Sequence, residues 1–295
     1  MPKVRYVDGP TVELQEGETI LQASLRCGVD HRNACDGVCR CSTCRVEIVE
    51  GAEHLADPDD EECEILAINN LEPPVRLACQ LHPTGDLTVR VLMREIDETL
   101  PPSLAQGLAQ EREVAVLFAD IRDFTPFSEQ QLPFDVLHLL NRYFDRMGTV
   151  IDKFHGHIVS YQGDGMLTLF PAGGETSALE AVHCGLEMLA ARESLAEYAQ
   201  EHFSFEMRIG IGIDFGRAVV GQIGYYRSTQ LNAVGDVVNT ASRVQDLTKE
   251  MGVQMLITTA VRERLRDRFA TGQELETEIR GKAGRHTLIE VLGTK

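Results

Sequence analysis

Residues 35–44 read Cys35-Asp-Gly-Val-Cys-Arg-Cys-Ser-Thr-Cys44, and a solitary Cys79 follows in Arg76-Leu-Ala-Cys-Gln80. Taken as Cys35, Cys41, Cys44 and Cys79, the order is C-x5-C-x2-C and then one distant cysteine, which is the spacing a [2Fe-2S] cluster needs. A loop carrying three thiolates wraps one side of such a cluster, and the fourth arrives from a remote strand. A structural zinc site with four thiolates is the competing reading. Zinc, however, usually takes two short C-x2-4-C knuckles rather than three ligands in one loop. Gly37 and the small Ser42 and Thr43 let backbone amides point at the cluster sulfides. Cys39 is a fifth thiol inside the loop, either a substitute ligand or an oxidation-sensitive neighbour. Cys27, Cys63 and Cys184 read as ordinary small buried residues.

Outward from that loop, residues 3–7 and 11–15 alternate apolar and polar about Asp8-Gly9, a hairpin signal. Thr19 to Cys27, closed by Gly28, reads as a helix with Ile20, Leu21 and Leu25 inward. Strands are predicted at Arg45–Val49 and Asp86–Leu92, and an acidic helix at Pro58–Ile68. A small sheet gripping one helix is the implied shape. The quoted cysteine segments resemble the vertebrate-type and bacterial [2Fe-2S] ferredoxins over about residues 1–97, and that resemblance implies a β-grasp domain. The acidic run Asp57, Asp59, Asp60, Glu61, Glu62 and Glu64 reads as a solvated helix face, which in the resembled ferredoxins docks a basic ferredoxin reductase.

The whole chain of 295 residues is long enough for two domains. Its formal charge of -18 opposes nucleic acid or an anionic membrane surface as partner and favours metal ions or basic proteins. Residues 1–97 hold 19 Asp and Glu against 9 Lys and Arg, so the smaller domain is the more acidic. No stretch reads as a signal peptide or membrane span. Eight cysteines without export signals read as metal ligands and free thiols, which implies a reducing cytoplasm.

Glu95 to Arg112, with Pro101-Pro102 and Gly107, reads as a connection, giving domains at 1–97 and 113–295 joined by a linker at 98–112. Val114–Phe118 is a continuous apolar strand of the buried kind. Phe134–Phe154 carries Leu137, Leu140, Phe144, Met147 and Ile151 at helical spacing. Strand signals recur at 157–161, 166–170, 205–213 and 218–223, and helices are predicted at 176–192 and 236–249. This mixture around one sheet makes an α+β domain. Asp120 lies just past the buried strand, and Asp164 lies in the turn Gln162-Gly163-Asp164-Gly165. Two carboxylates at one sheet edge can share two Mg²⁺ or Mn²⁺ ions that keep water and phosphate oxygens as further ligands.

Leu117-Phe-Ala-Asp-Ile-Arg-Asp-Phe-Thr125, Gly163-Asp-Gly165, Arg208-Ile-Gly-Ile-Gly-Ile213 and Val234-Gly-Asp-Val-Val-Asn-Thr-Ala-Ser-Arg243 resemble the class III nucleotidyl cyclases from about Glu113 to Gly293. The resemblance implies an α/β sandwich on a ferredoxin-like βαββαβ core. It implies metal binding by Asp120, Asp164 and the Ile121 carbonyl. Asn239 and Arg243 would orient the ribose and stabilise the transition state, and Arg280 or Lys282 would hold the triphosphate. Because the cleft in this family lies between two cyclase domains, it also implies a homodimer. Ser160 and Asn232 stand where the family reads the purine, and they match neither the adenylate nor the guanylate pattern. ATP is favoured over GTP because Asn232 can accept from the adenine amino group and no acid is present for guanine's donors. The expected activity is a redox-regulated adenylate cyclase. The alternatives are a guanylate cyclase, or a ferredoxin electron carrier with a degenerate cyclase-like domain.

Overall fold

A computed structural model describes residues 1–93, 109–225 and 228–295, with the side chains of 224–229 left aside. The chain divides into two compact units, Met1–Ala109 and Gln110–Lys295. Most of the expected linker lies outside the described residues, and its last three positions already belong to a strand that begins at Gln110.

In the first unit β1 (Lys3–Tyr6) and β2 (Thr11–Glu13) form the expected hairpin about Asp8-Gly9. Helix α1 (Ile20–Arg26) starts at a capping box, with the Thr19 hydroxyl accepting from Gln22 N–H while the Gln22 side chain accepts from Thr19 N–H. With β3 (Arg45–Glu50), α2 (Asp60–Ile68), β4 (Val75–Leu77) and β5 (Leu87–Val91), the sheet order is β2-β1-β5-β3-β4. The pairing of β1 with β5 is parallel and the rest are antiparallel, which is the β-grasp arrangement. Ile20, Leu21 and Ala23 bury the inner face of α1 against Val4, Tyr6 and Val89. Leu25, expected inward, is 47% exposed, because the buried face of the helix runs through Ile20, Leu21, Ala23 and Ser24 and turns Leu25 outward.

The second unit begins with β6 (Gln110–Ile121), the short α3 (Phe124–Ser128), α4 (Pro133–Lys153), β7 (His157–Gln162), β8 (Gly165–Phe170), α5 (Gly174–Phe203) and β9 (Ile209–Tyr225). It continues with β10 (Ser228–Val234), α6 (Asp236–Glu250), β11 (Met255–Thr258), α7 (Thr259–Leu265), β12 (Phe269–Glu278) and β13 (Arg285–Thr294). The order β12-β13-β11-β9-β6-β8-β7 contains a ferredoxin-like core of β9-β6-β8-β7. Ala115, Leu117, Ala119 and Ile121 of β6 pack with the α4 and α5 layer, whereas Val114 and Val116 pack with Val237 and Ala241 of α6. Burial on both faces explains the unbroken apolar run. The two strands expected at 205–213 and 218–223 are one strand, because β6 pairs β9 continuously from Gln110 to Ile121 through the polar stretch Asp214 to Arg217. Helix α5 runs eleven residues beyond 192, since Ala191, Leu195 and Ala199 keep a buried stripe at four-residue spacing.

Candidate active site and iron-sulfur centre

The acidic edge forms where β6 ends beside the β7–β8 turn. Gly163 takes a left-handed φ of +65° there, and Gln162 pairs with Gly165, so Gly163 and Asp164 make a two-residue turn. Ala119 pairs with Met166, which brings Asp120 level with Gly165. Asp164 Oδ2 accepts from Ile121 N–H at 3.1 Å. A Cβ at Gly165 would stand 3.2 Å from Asp120 Oδ1, so the glycine keeps that carboxylate's surroundings open. Burial, and then the Asp164 carboxyl bonded to it, push the Asp120 carboxyl up to about 7. Two adjacent half-buried carboxylates at one open edge form a donor set suited to hard divalent cations.

The second group of expected residues lies on and around α6. Asn239 is exposed on its second turn, and Arg243 follows one turn later. The Arg243 guanidinium lies against Gly281, where a Cβ would come within 3.1 Å of Nη2. Lys282 Nζ pairs with Asp236 Oδ2 at 2.7 Å, so the segment before β13 is brought to the amino end of α6. Arg280 is exposed beside it. Asp236 had no role in the sequence reading, and the signal available was its position three residues before Asn239. Ser160 sits on β7 beside an irregularity in register between Ile158 and Ser160, and Asn232 sits on β10 opposite Gly221. Their neighbours Val159 and Ala233 share one apolar cluster, which brings the two strands together. Asn232 Oδ1 accepts from Ala233 N–H at 2.8 Å.

The four cysteines resolve into two hydrogen-bonded pairs, Cys35 with Cys41 and Cys44 with Cys79. Within each pair one sulfur is held down by its neighbour's S–H: Cys41 by Cys35, and Cys79 by Cys44. Backbone N–H groups of Gly37 and Arg40 point at Cys35, those of Cys35 and Thr43 at Cys41, and that of Cys39 at Cys79. Left-handed backbone at Asp36, Gly37 and Cys39 (φ +53°, +82° and +53°) bends the loop so that these amides face sulfur. Two cysteine pairs rather than four sulfurs about one point fit a binuclear cluster, in which each iron takes two protein ligands.

Behind Cys44 runs a buried chain of hydrogen bonds. Its carbonyl meets His31 Nε2 at 3.1 Å, and His31 Nδ1 meets Ser24 Oγ at 2.9 Å on α1. Cys39 is 4% exposed, and burial followed by the nearby Cys79 pushes its thiol up to about 12. Cys27 and Cys63 are exposed rather than buried, and only Cys184 matches the small-core reading. Glu62 also departs from the solvated-face reading. It is 1% exposed and accepts from Arg76 Nε at 2.8 Å, Arg76 Nη2 at 2.7 Å and Leu77 N–H at 2.8 Å.

Residues 108–290 match the adenylate and guanylate cyclase catalytic domain, and residues 6–84 match the 2Fe-2S iron-sulfur cluster binding domain. The chain is 30% identical over 225 residues to the adenylate cyclase of Anabaena cylindrica, covering 71% of this chain and 44% of that protein. It is 30% identical over 187 residues to adenylate cyclase 1 of Rhizobium meliloti, covering 63% of this chain and 28% of the other. The chain therefore spans less than half the length of these curated relatives. Among solved structures, the guanylyl cyclase Cya2 superposes with a TM-score of 0.61 at 31% identity, over 64% of this chain and 96% of that one. The adenylyl cyclase CyaB from P. aeruginosa shares the fold, with a TM-score of 0.58 at 23% identity, over 63% and 97%. With the catalytic-domain match covering most of its length, this chain belongs to the adenylate and guanylate cyclase family and carries a 2Fe-2S iron-sulfur cluster binding domain at its amino-terminal end.

Proposed function

We propose that the protein is a homodimeric adenylate cyclase converting ATP to cyclic AMP and pyrophosphate, under the control of a [2Fe-2S] cluster. The observation that carries the catalytic part is the pairing of Asp120 with Asp164 at one open sheet edge. Asp120, Asp164 and the Ile121 carbonyl would hold two Mg²⁺ or Mn²⁺ ions, which would supply Lewis acidity to the ribose 3′-hydroxyl and the phosphates. Asn239 and Arg243 of the other protomer orient the ribose and offset charge developing at the α-phosphate. Lys282, held near α6 by Asp236, is better placed than the exposed Arg280 to meet the triphosphate tail. The 3′-oxygen bonds to the α-phosphorus, the bond to the bridging oxygen breaks, pyrophosphate leaves and the hydroxyl proton passes to water.

A single cyclase domain per chain makes the cleft two-fold, so each protomer lends its acidic edge to one site and its α6 to the other. Ser160 and Asn232 face the purine, with the Asn232 oxygen accepting from adenine. One observation favours a second reading, in which GTP is the substrate. Asn232 Oδ1 already accepts from Ala233 N–H, which leaves the amide's N–H donors for a base and suits the guanine carbonyl. Rates of cyclic nucleotide formation from ATP and GTP with Mn²⁺ and Mg²⁺ decide between them, and no product from either defeats both. Asp164→Ala and Arg243→Ala proteins, each inactive, should regain about a quarter of wild-type activity when mixed. Random pairing makes half the dimers hybrid, each with one intact site of two.

The regulatory part rests on the two cysteine pairs and their amide donors. One electron added at the cluster changes the local charge by one unit, which can bias how the catalytic halves meet. Asp60, Glu61 and Glu64 on α2 offer an acidic face to a basic ferredoxin reductase in a reducing cytoplasm. No helix among the described residues is long and apolar enough to cross a membrane. Cyclase rates on one sample with the cluster oxidised and then reduced test the coupling, and identical rates remove it.

A further inference from the structure

The iron-sulfur unit carries a row of polar groups through its apolar core. Tyr6, Ser24, His31 and Cys44 are all buried, the most open of them 4% exposed. The Tyr6 hydroxyl hydrogen-bonds Ser24 Oγ, Ser24 Oγ stands 2.9 Å from His31 Nδ1, and His31 Nε2 stands 3.1 Å from the Cys44 carbonyl oxygen. A carbonyl only accepts, so Nε2 carries a hydrogen, and the Ser24 contact at Nδ1 holds the ring turned that way. Phenylalanine, alanine and leucine would fill the same space with no polar atoms to satisfy. A row that stays polar and ends on the peptide of a cluster ligand therefore points to more than packing. Other bonds already fasten that ligand. The Cys44 carbonyl also accepts from Ala78 N–H at 3.2 Å, next to Cys79, and Leu21 N–H of α1 donates to the Ala78 carbonyl at 3.1 Å.

We propose that His31 is a positioning residue for the [2Fe-2S] cluster: its Nε2–H, oriented by Ser24 and Tyr6, polarises the Cys44 peptide and raises the potential at which the cluster accepts an electron. The inference rests on the cluster assigned above to the four cysteines. The sign follows from charge. Reduction adds one negative charge beside Cys44, and a hydrogen bond that draws electron density off that residue's peptide is stronger in the reduced state than in the oxidised one. The site is buried, so water screens the effect weakly.

The test is a redox titration of the full chain with dithionite, read by visible absorbance and by the paramagnetic resonance of the reduced cluster. His31→Leu should make reduction about tenfold less favourable, a fall of about 59 mV for one electron. His31→Gln, whose side-chain amide keeps a donor for the Cys44 carbonyl, should recover most of that fall. Ser24→Ala leaves the ring in place but loosens it, and should give a smaller fall. Val89→Ala, an apolar change in the same core, should lower the melting temperature and keep the wild-type potential. An unchanged potential in His31→Leu overturns the inference, as does a His31→Gln protein no better than His31→Leu, or a Val89→Ala protein that falls as far. Should His31→Leu fail to fold, Ser24→Ala decides: a fall supports the role, and a wild-type potential overturns it. A wild-type protein with no one-electron signal fails the cluster assignment and this inference with it, whereas a wild-type signal that the variants leave unmoved removes the histidine's role alone.

Discussion

Gly212→Ala is the sharpest perturbation of the cyclase unit, because the glycine lies where strand β9 and helix α6 touch backbone to backbone. A Cβ there would come 2.2 Å from Gln245 N and 2.6 Å from Ala241 O, both of them α6 main chain. Ordinary contact begins near 3.4 Å, so the helix must recede by about 1.2 Å. No side chain can turn aside to relieve this. Ala241 lies between Asn239 and Arg243, so both move with it. A displacement of about 1 Å at positioning groups can cost on the order of 100-fold in turnover, and overpacking adds about 1–3 kcal/mol of lost stability. The assay is steady-state cyclisation with saturating Mn²⁺, alongside thermal melting and Mn²⁺ titration. Turnover should collapse while the Asp120–Asp164 edge still takes Mn²⁺. Gly216→Ala, on the same strand, meets only the Val237 side chain, at 3.3 Å from its Cβ, and should turn over close to wild type. A Gly212→Ala enzyme with normal turnover, or a Gly216→Ala enzyme damaged as badly, would refute the reasoning.

Two further outcomes concern buried carboxylates. Glu62→Ala strands the Arg76 guanidinium and the Leu77 amide just ahead of Cys79, and should cost the first unit about 3–5 kcal/mol, seen as loss of visible cluster absorbance at lower temperature. A variant that holds its cluster as long as wild type would show that the ion pair does not fix β4. Asp214, 6% exposed, accepts from Thr258 Oγ1 at 2.6 Å, and burial raises its pKa despite that bond. A raised folded pKa means that the charged form opposes folding at neutral pH. Asp214→Asn should therefore raise the melting temperature near neutrality, with the gain fading as the pH falls toward the ordinary carboxylate range. A gain that grows on acidification would reverse the sign of the argument.

Much of this was legible in the residues because short-range rules and long-range packing agreed. The cysteine spacing announced a loop and a remote strand; the loop presents Cys35, Cys41 and Cys44, but Cys79 sits in the turn just past β4 rather than on a strand. The apolar run Val114–Ala119 announced a strand covered on both faces, and both layers are there. What escaped was whatever depended on a partner far away in sequence. Glu62 looked like one more acid on a solvated helix until Arg76 and Leu77 closed on it. Asp214 to Arg217 fell between two expected strands until β6 supplied pairing along its length. The glycines of Arg208-Ile-Gly-Ile-Gly-Ile213 announced a motif, but only the packing gives their reason. Gly212 admits α6, and Gly210 admits Arg122, whose Nη2 an added Cβ would strike.

That last contact bears on how any regulatory input could reach the chemistry. Arg122 and Asp123 directly follow Asp120 and Ile121, and both reach the carboxyl end of α6. Arg122 hydrogen-bonds Thr248, and Asp123 pairs with Lys249 at 2.9 Å and with Arg208 at 3.3 Å. The Asp123 pairs are about half exposed and contribute little. The Arg122–Thr248 bond is not so discounted, because Thr248 is fully buried and Arg122 is wedged over Gly210. Together with the Gly212 contact it makes the acidic edge and α6 of one chain a single rigid piece. In a two-fold cleft those two features serve different active sites, so a change inside one protomer that opened one site would have to break packed backbone. Motion between protomers breaks none of it. A charge change at the cluster would therefore act more easily on the way two copies approach each other than on the shape of either.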